Sequence, residues 1–345
     1  MKRTLFLLGT FVLIFGMFMT TIAQEKDPKK WTPEDIINTE SMRSVSISPN
    51  GKMVLWTKNK AVKEKDKFVS DIFLTRTDVS DKDGYKTIQL TQGKESNYSP
   101  FFSKDGESIY FLSSREKGKK LWKMSVYGGE PKAVHEFKNG IGSVKWQNNN
   151  TLLFVAGEGA TLYEQQLKEK KDNVIVVEDS LHWKPSRIFA FDIKTKKIKR
   201  ITRNEKPLNG YSVSKDGKWL VYTMSRSRSY ASDAQKDPFT FLQNLETNEV
   251  SQIITDRGYP SNGFQFTEDN KGFYFSSEHG SDPEWNGAGV SELYYYTLAT
   301  KSYKKVDLKW DLGLGRGFSV VGNNVVTTLA NKAYFKLAYY KKNGN

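Results

Sequence analysis

SISPNGKMVLW, at residues 46–56, is the stretch of sequence that decides the fold. A short alternating segment leads into Asn50 and Gly51, whose residue types tolerate the positive φ of a tight turn. A segment rich in Val, Leu and aromatic residues follows the turn. This order of strand, polar turn and strand predicts a β-hairpin, and a single hairpin buries too little apolar surface to be stable.

The same hairpin signature returns along the chain. Two clear copies read YSPFFSKDGESIYF at residues 98–111 and YSVSKDGKWLVY at residues 211–222, and a looser copy reads FQFTEDNKGFYF at residues 264–275. Two degenerate copies lie at residues 144–155 and 317–326. The turns fall about 44 to 67 residues apart, which suits four-stranded units and is too long for leucine-rich or helical-pair repeats. The sequence therefore predicts six related β units.

Two further strand-like segments follow the hairpins. Residues 120–126 and 131–134 illustrate them after the second hairpin, and residues 292–298 and 303–306 illustrate them after the fifth. Four antiparallel strands form one blade of a β-propeller. The sequence therefore predicts an all-β fold, a β-propeller of four-stranded antiparallel blades with six blades visible.

The sixth unit is predicted to be incomplete. Residues 333–340 are typical of its third strand, and residues 341–345 are typical of a turn that no fourth strand follows. A propeller closes by joining its last blade to its first, which removes free sheet edges. We therefore expect a gap between the sixth and first blades, incomplete covering of Phe335 and Tyr339, and a protein partner at that open edge.

The amino-terminal segment is predicted to direct export. Lys2 and Arg3 precede an uncharged, apolar stretch at residues 4–23, and a small residue, Ala23, lies just before the expected cleavage point. This pattern is typical of a secretory signal peptide at residues 1–23, so we expect a periplasmic or secreted protein with no stable membrane insertion after cleavage. An uncleaved anchor is the alternative, because a run of about 20 apolar residues is long enough to span a bilayer.

The rest of the chain divides into a short amino-terminal segment and the propeller. Residues 24–43 form the segment, which contains a short helix with Thr32 as the expected cap and Pro33 as the first helical residue. Residues 44–345 are predicted to form the propeller, truncated within its last blade. Residues 163–171 are rich in lysine and predict either a second short helix or a surface loop.

Composition excludes several classes of protein. The 345 residues include no cysteine, which excludes disulfide scaffolds, thiolate zinc sites and cysteine nucleophiles. Lys and Arg total 53 against 39 for Asp and Glu, a balance that raises nucleic acid as a partner. The export signal argues against nucleic acid, and short lysine runs are typical of solvated loops and protected sheet edges. The histidines, His135, His182 and His279, are too widely spaced for a local metal motif, so we expect neither a metal nor another cofactor.

Several stretches resemble a known family. The chain is similar to the amino-terminal propeller of secreted prolyl oligopeptidase family serine peptidases, in their acylaminoacyl and dipeptidyl peptidase branches. The likeness lies in WTPEDII at residues 31–37, in VSISPNGK at residues 45–52 and in the Ser-Lys-Asp-Gly hairpins, and residues 177–189 resemble a connection in that branch. It covers nearly all of residues 31–345. Stand-alone TolB-type propellers share the Ser-Pro-Asp-Gly-Lys pattern.

The resemblance implies one part of a two-part enzyme. In that family a propeller restricts the access of substrates to an α/β-hydrolase domain, which carries a Ser, Asp and His triad. The nucleophile elbow Gly-x-Ser-x-Gly occurs nowhere in the 345 residues, and its nearest approximations, at Ser212 and Ser319, lack the second glycine. We therefore expect no catalytic residue in this chain and no peptidase activity of the chain on its own.

The resemblance leaves more than one hypothesis for function. The first is a non-catalytic, substrate-gating propeller portion of an exported peptidase that lacks the hydrolase domain, with peptide substrates or a catalytic hydrolase domain as its partners. The second is a stand-alone periplasmic TolB-like propeller that acts as a protein-binding scaffold. A propeller enzyme with its own site is a third, disfavoured because His and acidic ligands do not cluster in the sequence.

Two loops are predicted to contact substrate. The candidate contacts of the first loop are Glu178, Asp179, His182 and Trp183. Those of the second loop are Asp282, Glu284 and Trp285. Acidic groups of the propeller hold a substrate's amino terminus in some relatives, but the paired-glutamate helix of those relatives is not recognisable here, so that role is not carried over to these residues. Ordinary loop packing is the competing interpretation. Residues 276–282 contain Ser, Glu, His and Asp, but a triad is a spatial arrangement with an oxyanion site, so a surface loop is predicted there.

Overall fold

The repeated turn is held together by the residues that recur in it. A computed structural model describes the chain over residues 31–82, 84–172, 183–228, 238–255, 260–280 and 289–342. Ser48 Oγ donates to Asn50 Oδ1 at 2.8 Å and accepts from the Met53 amide at 2.9 Å. The equivalent bond recurs in later turns with a carboxylate in place of the amide, at Ser103 with Asp105, Ser214 with Asp216, and Thr267 with Asp269. The Ser/Thr-x-Asp/Asn part of the signature therefore encodes a side-chain brace that closes the hairpins of blades one, two, four and five.

Six antiparallel sheets follow one another along the chain, as the repeats predict. The sheets of the first three blades consist of β1 (Ser41–Ile47), β2 (Met53–Val62), β3 (Lys67–Asp81) and β4 (Gly84–Gln89); β5 (Asn97–Phe102), β6 (Ser108–Ser113), β7 (Lys120–Ser125) and β8 (Gly128–Glu136); and β9 (Gly142–Trp146), β10 (Thr151–Ala156), β11 (Arg187–Asp192) and β12 (Ile198–Arg200).

The last three blades repeat this order, and the sixth has one strand fewer among the described residues. Their strands are β13 (Leu208–Val213), β14 (Trp219–Met224), β15 (Phe239–Asn244) and β16 (Val250–Ile253); β17 (Ser261–Phe266), β18 (Gly272–His279), β19 (Val290–Thr297) and β20 (Ser302–Lys305); and β21 (Leu314–Val321), β22 (Asn324–Asn331) and β23 (Tyr334–Tyr340). The predicted all-β propeller with six blades is confirmed.

The first strand of each blade lies nearest the axis of the ring. The first strands of neighbouring blades contact one another, as β1 does β5, β9 does β13, and β13 does β17. Each first strand is also interrupted by a shift in register against its partner. Three of these irregularities place a serine at positive φ, at Ser44, Ser99 and Ser143. Such bulges bend a strand and re-aim its side chains, which allows the sequence to shape the axial space blade by blade.

Five hydrophobic clusters join the blades in order. Each cluster combines side chains from two successive blades, from the first pair through to the fifth and sixth. In blade five, Phe273 stacks on Tyr296 with ring centroids 4.8 Å apart, and Phe275 stacks on Tyr294 at 5.2 Å. Full burial of an aromatic side chain contributes about 2–3 kcal/mol, so these cross-strand pairs stabilise the sheet of blade five, which shares a hydrophobic cluster with blade four.

Blade six has one covered face and one uncovered face. Val325 and Leu329 pack against blade five and are almost fully buried. On the opposite face of the sheet Phe335, Leu337 and Tyr339 are 47%, 79% and 56% exposed. The expected incomplete covering of Phe335 and Tyr339 is therefore confirmed, and none of the five clusters in the described residues joins blade six to blade one.

Among the described residues, two short α-helices lie outside the blades. Helix α1 (Pro33–Ile37) begins at Thr32, whose hydroxyl accepts from the Asp35 amide in a capping box, as predicted. Helix α2 (Leu162–Glu169) settles the alternative left open for residues 163–171 in favour of a helix. A single 3₁₀ turn (Lys63–Lys65) joins β2 to β3. Over the described ranges no helix has the length and apolar character needed to cross a membrane.

Candidate functional site

The two ends of the blades form two different faces of the ring. Successive strands run antiparallel, so the first-to-second and third-to-fourth turns lie at one end of each blade. The second-to-third connections and the links between blades lie at the other end. We call these the turn face and the insertion face.

Neighbouring blades are hydrogen-bonded to one another on the turn face. The Gln147 side-chain amide of blade three donates to the Gly217 carbonyl of blade four at 3.1 Å. Other links across the turns are Asp216 N to Asn270 Oδ1 at 3.1 Å, Asp269 N to Asn323 Oδ1 at 3.0 Å, and Lys104 Nζ to the carbonyls of Gln147 and Lys215 at 3.4 and 3.5 Å. From blade two to blade six this face is tied together turn by turn.

Long connections collect on the insertion face. Blades three, four and five carry them between their second and third strands, from Ala156 to Arg187, from Met224 to Phe239 and from His279 to Val290. Helix α2 lies in the first of these connections. Because loops set on a rigid scaffold commonly supply binding groups, this is the face on which to seek a site.

A cavity of about 650 Å³ opens toward the insertion face between blades three, four and five. Its wall is built mainly from the first strands β9, β13 and β17. The residues that line it are Lys145, Asn209, Gly210, Tyr211, Ser212, Thr223, Pro238, Pro260, Ser261, Asn262, Gly263, Phe264 and Gln265. Among these, Lys145 carries the one charge, so the described wall is polar, mostly neutral and free of carboxylates.

Lys145 lines this cavity from β9, one residue from the end of the strand that enters the turn, and its side chain is exposed. Its Nζ donates to the Tyr211 carbonyl at 2.8 Å and lies 5.2 Å from the centre of the Tyr211 ring. The side chain is accessible from the cavity but is surrounded by protein, and this desolvation lowers the pKa of the ammonium. No described carboxylate lies within ion-pair distance of Lys145, so its charge is compensated only by neutral dipoles.

Two asparagines at the mouth of the cavity are oriented by serines of the adjoining strand. Asn209 Oδ1 accepts from Ser225 Oγ at 2.9 Å, and Asn262 Oδ1 accepts from Ser276 Oγ at 2.8 Å. Because each oxygen is held by a hydroxyl, each side-chain NH₂ is left as the outward donor. The amide nitrogens of Asn209 and Asn262 have no protein acceptor among the described residues, and both side chains are exposed.

Of the residues predicted to contact substrate, the structure describes Trp183. Its ring lies 5.3 Å from the guanidinium of Arg228 in a cation–π contact, and it is 37% exposed. The remaining six predicted contacts lie outside the described residues: Glu178, Asp179, His182, Asp282, Glu284 and Trp285. Those substrate contacts therefore stay predictions.

The two serines that approximate a nucleophile elbow lie in different settings. Ser212 is buried in β13 against the cavity, and Ser319 is exposed on β21. No histidine lines the cavity beside Ser212 in the part of the wall that is described. His135 instead stacks on Phe191 between blades two and three with ring centroids 4.9 Å apart, and burial lowers its pKa. In the described ranges no three His, Asp or Glu side chains come together as metal ligands.

Sequence reasoning missed the cavity residues Lys145, Asn209 and Asn262. A signal for two of them was present, because the hairpin repeat extends upstream as Asn-Gly-aromatic, at residues 209–211 and 262–264. The bulge at Gly263, where φ is +67°, uses the glycine of that triplet. Lys145 carries no comparable signal, since it is one of many lysines and only its place on an axial strand distinguishes it.

The chain is similar in sequence to two peptidases. It is 24% identical to an uncharacterized peptidase, YuxL, of Bacillus subtilis. The aligned region of 219 residues covers 59% of this chain and 32% of that protein. It is 20% identical to dipeptidyl-peptidase 5 of Porphyromonas endodontalis. Here the aligned region of 278 residues covers 80% of this chain and 35% of that protein. The chain thus spans about a third of the length of the curated relatives it matches. No family model matches it.

In structure the chain resembles the propeller of an archaeal peptidase. The acylaminoacyl peptidase of Pyrococcus horikoshii superposes with a TM-score of 0.63 and 16% identity, covering 90% of this chain and 46% of that one. At this identity the likeness shows the fold. The resemblance to the propellers of prolyl oligopeptidase family peptidases, stated from the sequence, is thereby supported at the level of the blades.

Proposed function

We propose that this chain is the substrate-gating propeller portion of an exported prolyl oligopeptidase-like peptidase and is itself non-catalytic. The observation that carries the proposal is the axial cavity. Its described lining is polar and contains no carboxylate, it includes strand ends that lead into the long connections, and the opposite turn face is hydrogen-bonded from blade to blade. A space of about 650 Å³ admits an extended peptide of a few residues and excludes a folded domain.

The peptidase relatives support the choice of ligand. Both curated relatives are peptidases and both are about three times as long as the matched region, which fits a propeller that acts beside a separate catalytic part. The missing Gly-x-Ser-x-Gly motif and the isolated setting of Ser212 fit a role in admitting substrate. Export to the periplasm or outside the cell belongs to the proposal and is tested by locating the processed chain in fractionated cells.

The size of the ligand tests this function. We expect the purified chain to bind unstructured peptides of about five residues and to bind neither a folded 100-residue protein nor a peptide cyclised beyond the width of the cavity. Fluorescence anisotropy with labelled peptides measures this. Equal binding of folded proteins would contradict gating and would favour the protein-binding scaffold, a rival that the uncovered face of blade six supports.

Catalysis is tested separately. We expect the purified chain to leave aminoacyl and dipeptidyl chromogenic substrates uncleaved, because nucleophile, base and oxyanion donors are not assembled around Ser212 in the described residues. Turnover that persists through purification and disappears in Ser212→Ala or Ser319→Ala would overturn the non-catalytic assignment.

A further inference from the structure

We infer that the axial cavity is a binding site for a carboxylate, in which Lys145 and the side-chain amides of Asn209 and Asn262 are the donors, and that the carboxylate is the free carboxyl terminus of a peptide. The inference deepens the proposed function and rests on it for the identity of the ligand as a peptide. The carboxylate site itself depends only on the chemistry of the cavity wall.

The described wall presents donors and has few free acceptors. Lys145 has three N–H donors, of which one is used by the Tyr211 carbonyl. The Asn209 and Asn262 oxygens are occupied by serine hydroxyls, so their NH₂ groups remain for a ligand. A carboxylate carries about four acceptor positions and no donor, which matches this set of groups.

Gln265 lines the same cavity but, unlike Asn209 and Asn262, has both ends of its side-chain amide bonded to protein. Its amide nitrogen donates to the Phe318 carbonyl at 2.8 Å and its oxygen accepts from the Val320 amide at 2.9 Å. Both ends of Gln265 are therefore spent on holding blade five to blade six. The open donors are confined to blades three, four and five among the lining residues described.

The charge of the wall selects an anion. The Lys145 ammonium has no counterion among the described residues, and an incoming carboxylate supplies the missing charge. The described lining contains no Asp or Glu that would repel the ligand or neutralise Lys145. Lys145 lies near the turn end of β9, and Asn209 and Asn262 lie near the insertion-face ends of β13 and β17, so the rest of a ligand held by its carboxylate extends toward the insertion face.

Lys104 provides a matched control on the opposite face. Lys104 lies in the turn that follows the first strand of blade two. Like Lys145, it contacts backbone carbonyls, and burial lowers its pKa. It does not line the cavity. A general effect of removing one desolvated positive charge would therefore appear in Lys104→Met as well as in Lys145→Met.

The experiment compares a pair of peptides that differ only at the carboxyl terminus. Calorimetric titration of the full chain uses acetyl-Ala-Ala-Ala-Ala-Phe as the free acid and as the carboxamide. We expect the free acid to bind about tenfold more tightly, as one charge-assisted contact allows. We expect Lys145→Met to remove that difference and Lys104→Met to preserve it. Asn209→Asp, which replaces a donor by a carboxylate, is a second variant and should also remove it.

The outcomes separate this inference from the proposed function. Equal affinity for acid and amide would overturn the carboxylate site and leave peptide gating standing. If neither peptide binds but N-acetylglycine binds in a Lys145-dependent manner, the carboxylate site stands and peptide gating fails. If N-acetylglycine also fails to bind, the carboxylate site is overturned. Circular dichroism melting of each variant confirms that a lost difference reflects the site, because a misfolded variant would also lose its cooperative transition.

Discussion

The turn face and the insertion face are the two ends of the same strands, yet they use polar residues in opposite ways. On the turn face the polar side chains bond to the neighbouring turn, as Gln147 does to Gly217 and Asp216 to Asn270. At the other end, the side-chain oxygens of Asn209 and Asn262 accept from serine hydroxyls, and their NH₂ groups remain open to the cavity as donors. The comparison indicates that the repeated hairpin turns hold neighbouring blades together. The opposite ends of the strands, where the connections differ from blade to blade, are available for binding.

The hairpin of β13 and β14 contains both kinds of end. Gly217 lies at its turn with φ of +75°, and a Cβ there would come within 2.3 Å of the Gln147 carbonyl oxygen. Gly210 lies at its cavity end, where an added Cβ would meet nothing within 4 Å. One hairpin therefore provides a matched pair of glycines on which to test the comparison.

The largest effect is expected from Gly217→Ala. The new Cβ collides with blade three and the backbone conformation is unfavourable for alanine, so we expect a loss of about 2–4 kcal/mol in the free energy of unfolding. Urea denaturation followed by tryptophan fluorescence measures it. Gly210→Ala is the control and should change stability by less than about 1 kcal/mol. Similar losses in both variants would remove the distinction between the faces.

A smaller effect is expected from the serine that braces the same turn. Ser214 Oγ donates to Asp216 Oδ1 at 2.5 Å and accepts from the Trp219 amide at 2.9 Å, so Ser214→Ala leaves a partly buried amide without that acceptor. We expect destabilisation of about 2 kcal/mol.

Ser225 is the counterpart of Ser214 at the cavity end. Its hydroxyl donates to Asn209 Oδ1, so Ser225→Ala frees that amide to rotate. We expect a stability change below about 1 kcal/mol together with weaker binding of the free-acid peptide. A Ser225→Ala variant that loses as much stability as Ser214→Ala, with unchanged binding, would show that the asparagine is merely structural.

The turn face was largely predictable from the sequence, and the cavity was not. The Ser-x-Asp/Asn-Gly signature is local, because the hydroxyl, the carboxylate and the amide that it joins lie within six residues. The cap of helix α1 at Thr32 was predictable for the same reason. A cavity instead requires three first strands to converge, and the sequence separations between Lys145, Asn209 and Asn262 give no measure of that convergence.

The serines and loops proposed from the sequence illustrate the same limit. Ser212 attracted attention because of its neighbours in sequence, but its neighbours in space are the cavity wall and the strand β14. Chemistry that depends on several blades is set by the register and the bulges of the first strands. Those bulges occur at serines as well as glycines, so residue type alone does not reveal them.

An ion pair on the turn face is expected to stabilise the fold in a pH-dependent way, and this dependence distinguishes the two faces. Burial raises the pKa of Asp269, but hydrogen bonds from Lys342, Thr267 and the Lys271 amide outweigh it and hold the pKa at about 2. A depressed carboxyl pKa stabilises the fold above the ordinary value of 3.8, and this contribution is lost as the pH falls toward about 2. Because the side chain is partly exposed, we expect about 1 kcal/mol from this group.

The variant Asp269→Asn isolates that contribution, because asparagine keeps an oxygen to accept from Thr267 and the Lys271 amide but loses the charge that pairs with Lys342. The difference in unfolding free energy between the natural chain and the variant should be present at pH 5 and should shrink toward zero near pH 2. On the insertion face Lys145 has no described carboxylate partner, so the difference between the natural chain and Lys145→Met should stay constant over the same acid range. A difference for Lys145→Met that changes with pH in the acid range would show that a carboxylate is already paired with Lys145. In that case the insertion face would not differ from the turn face at Lys145, the residue on which the comparison most depends.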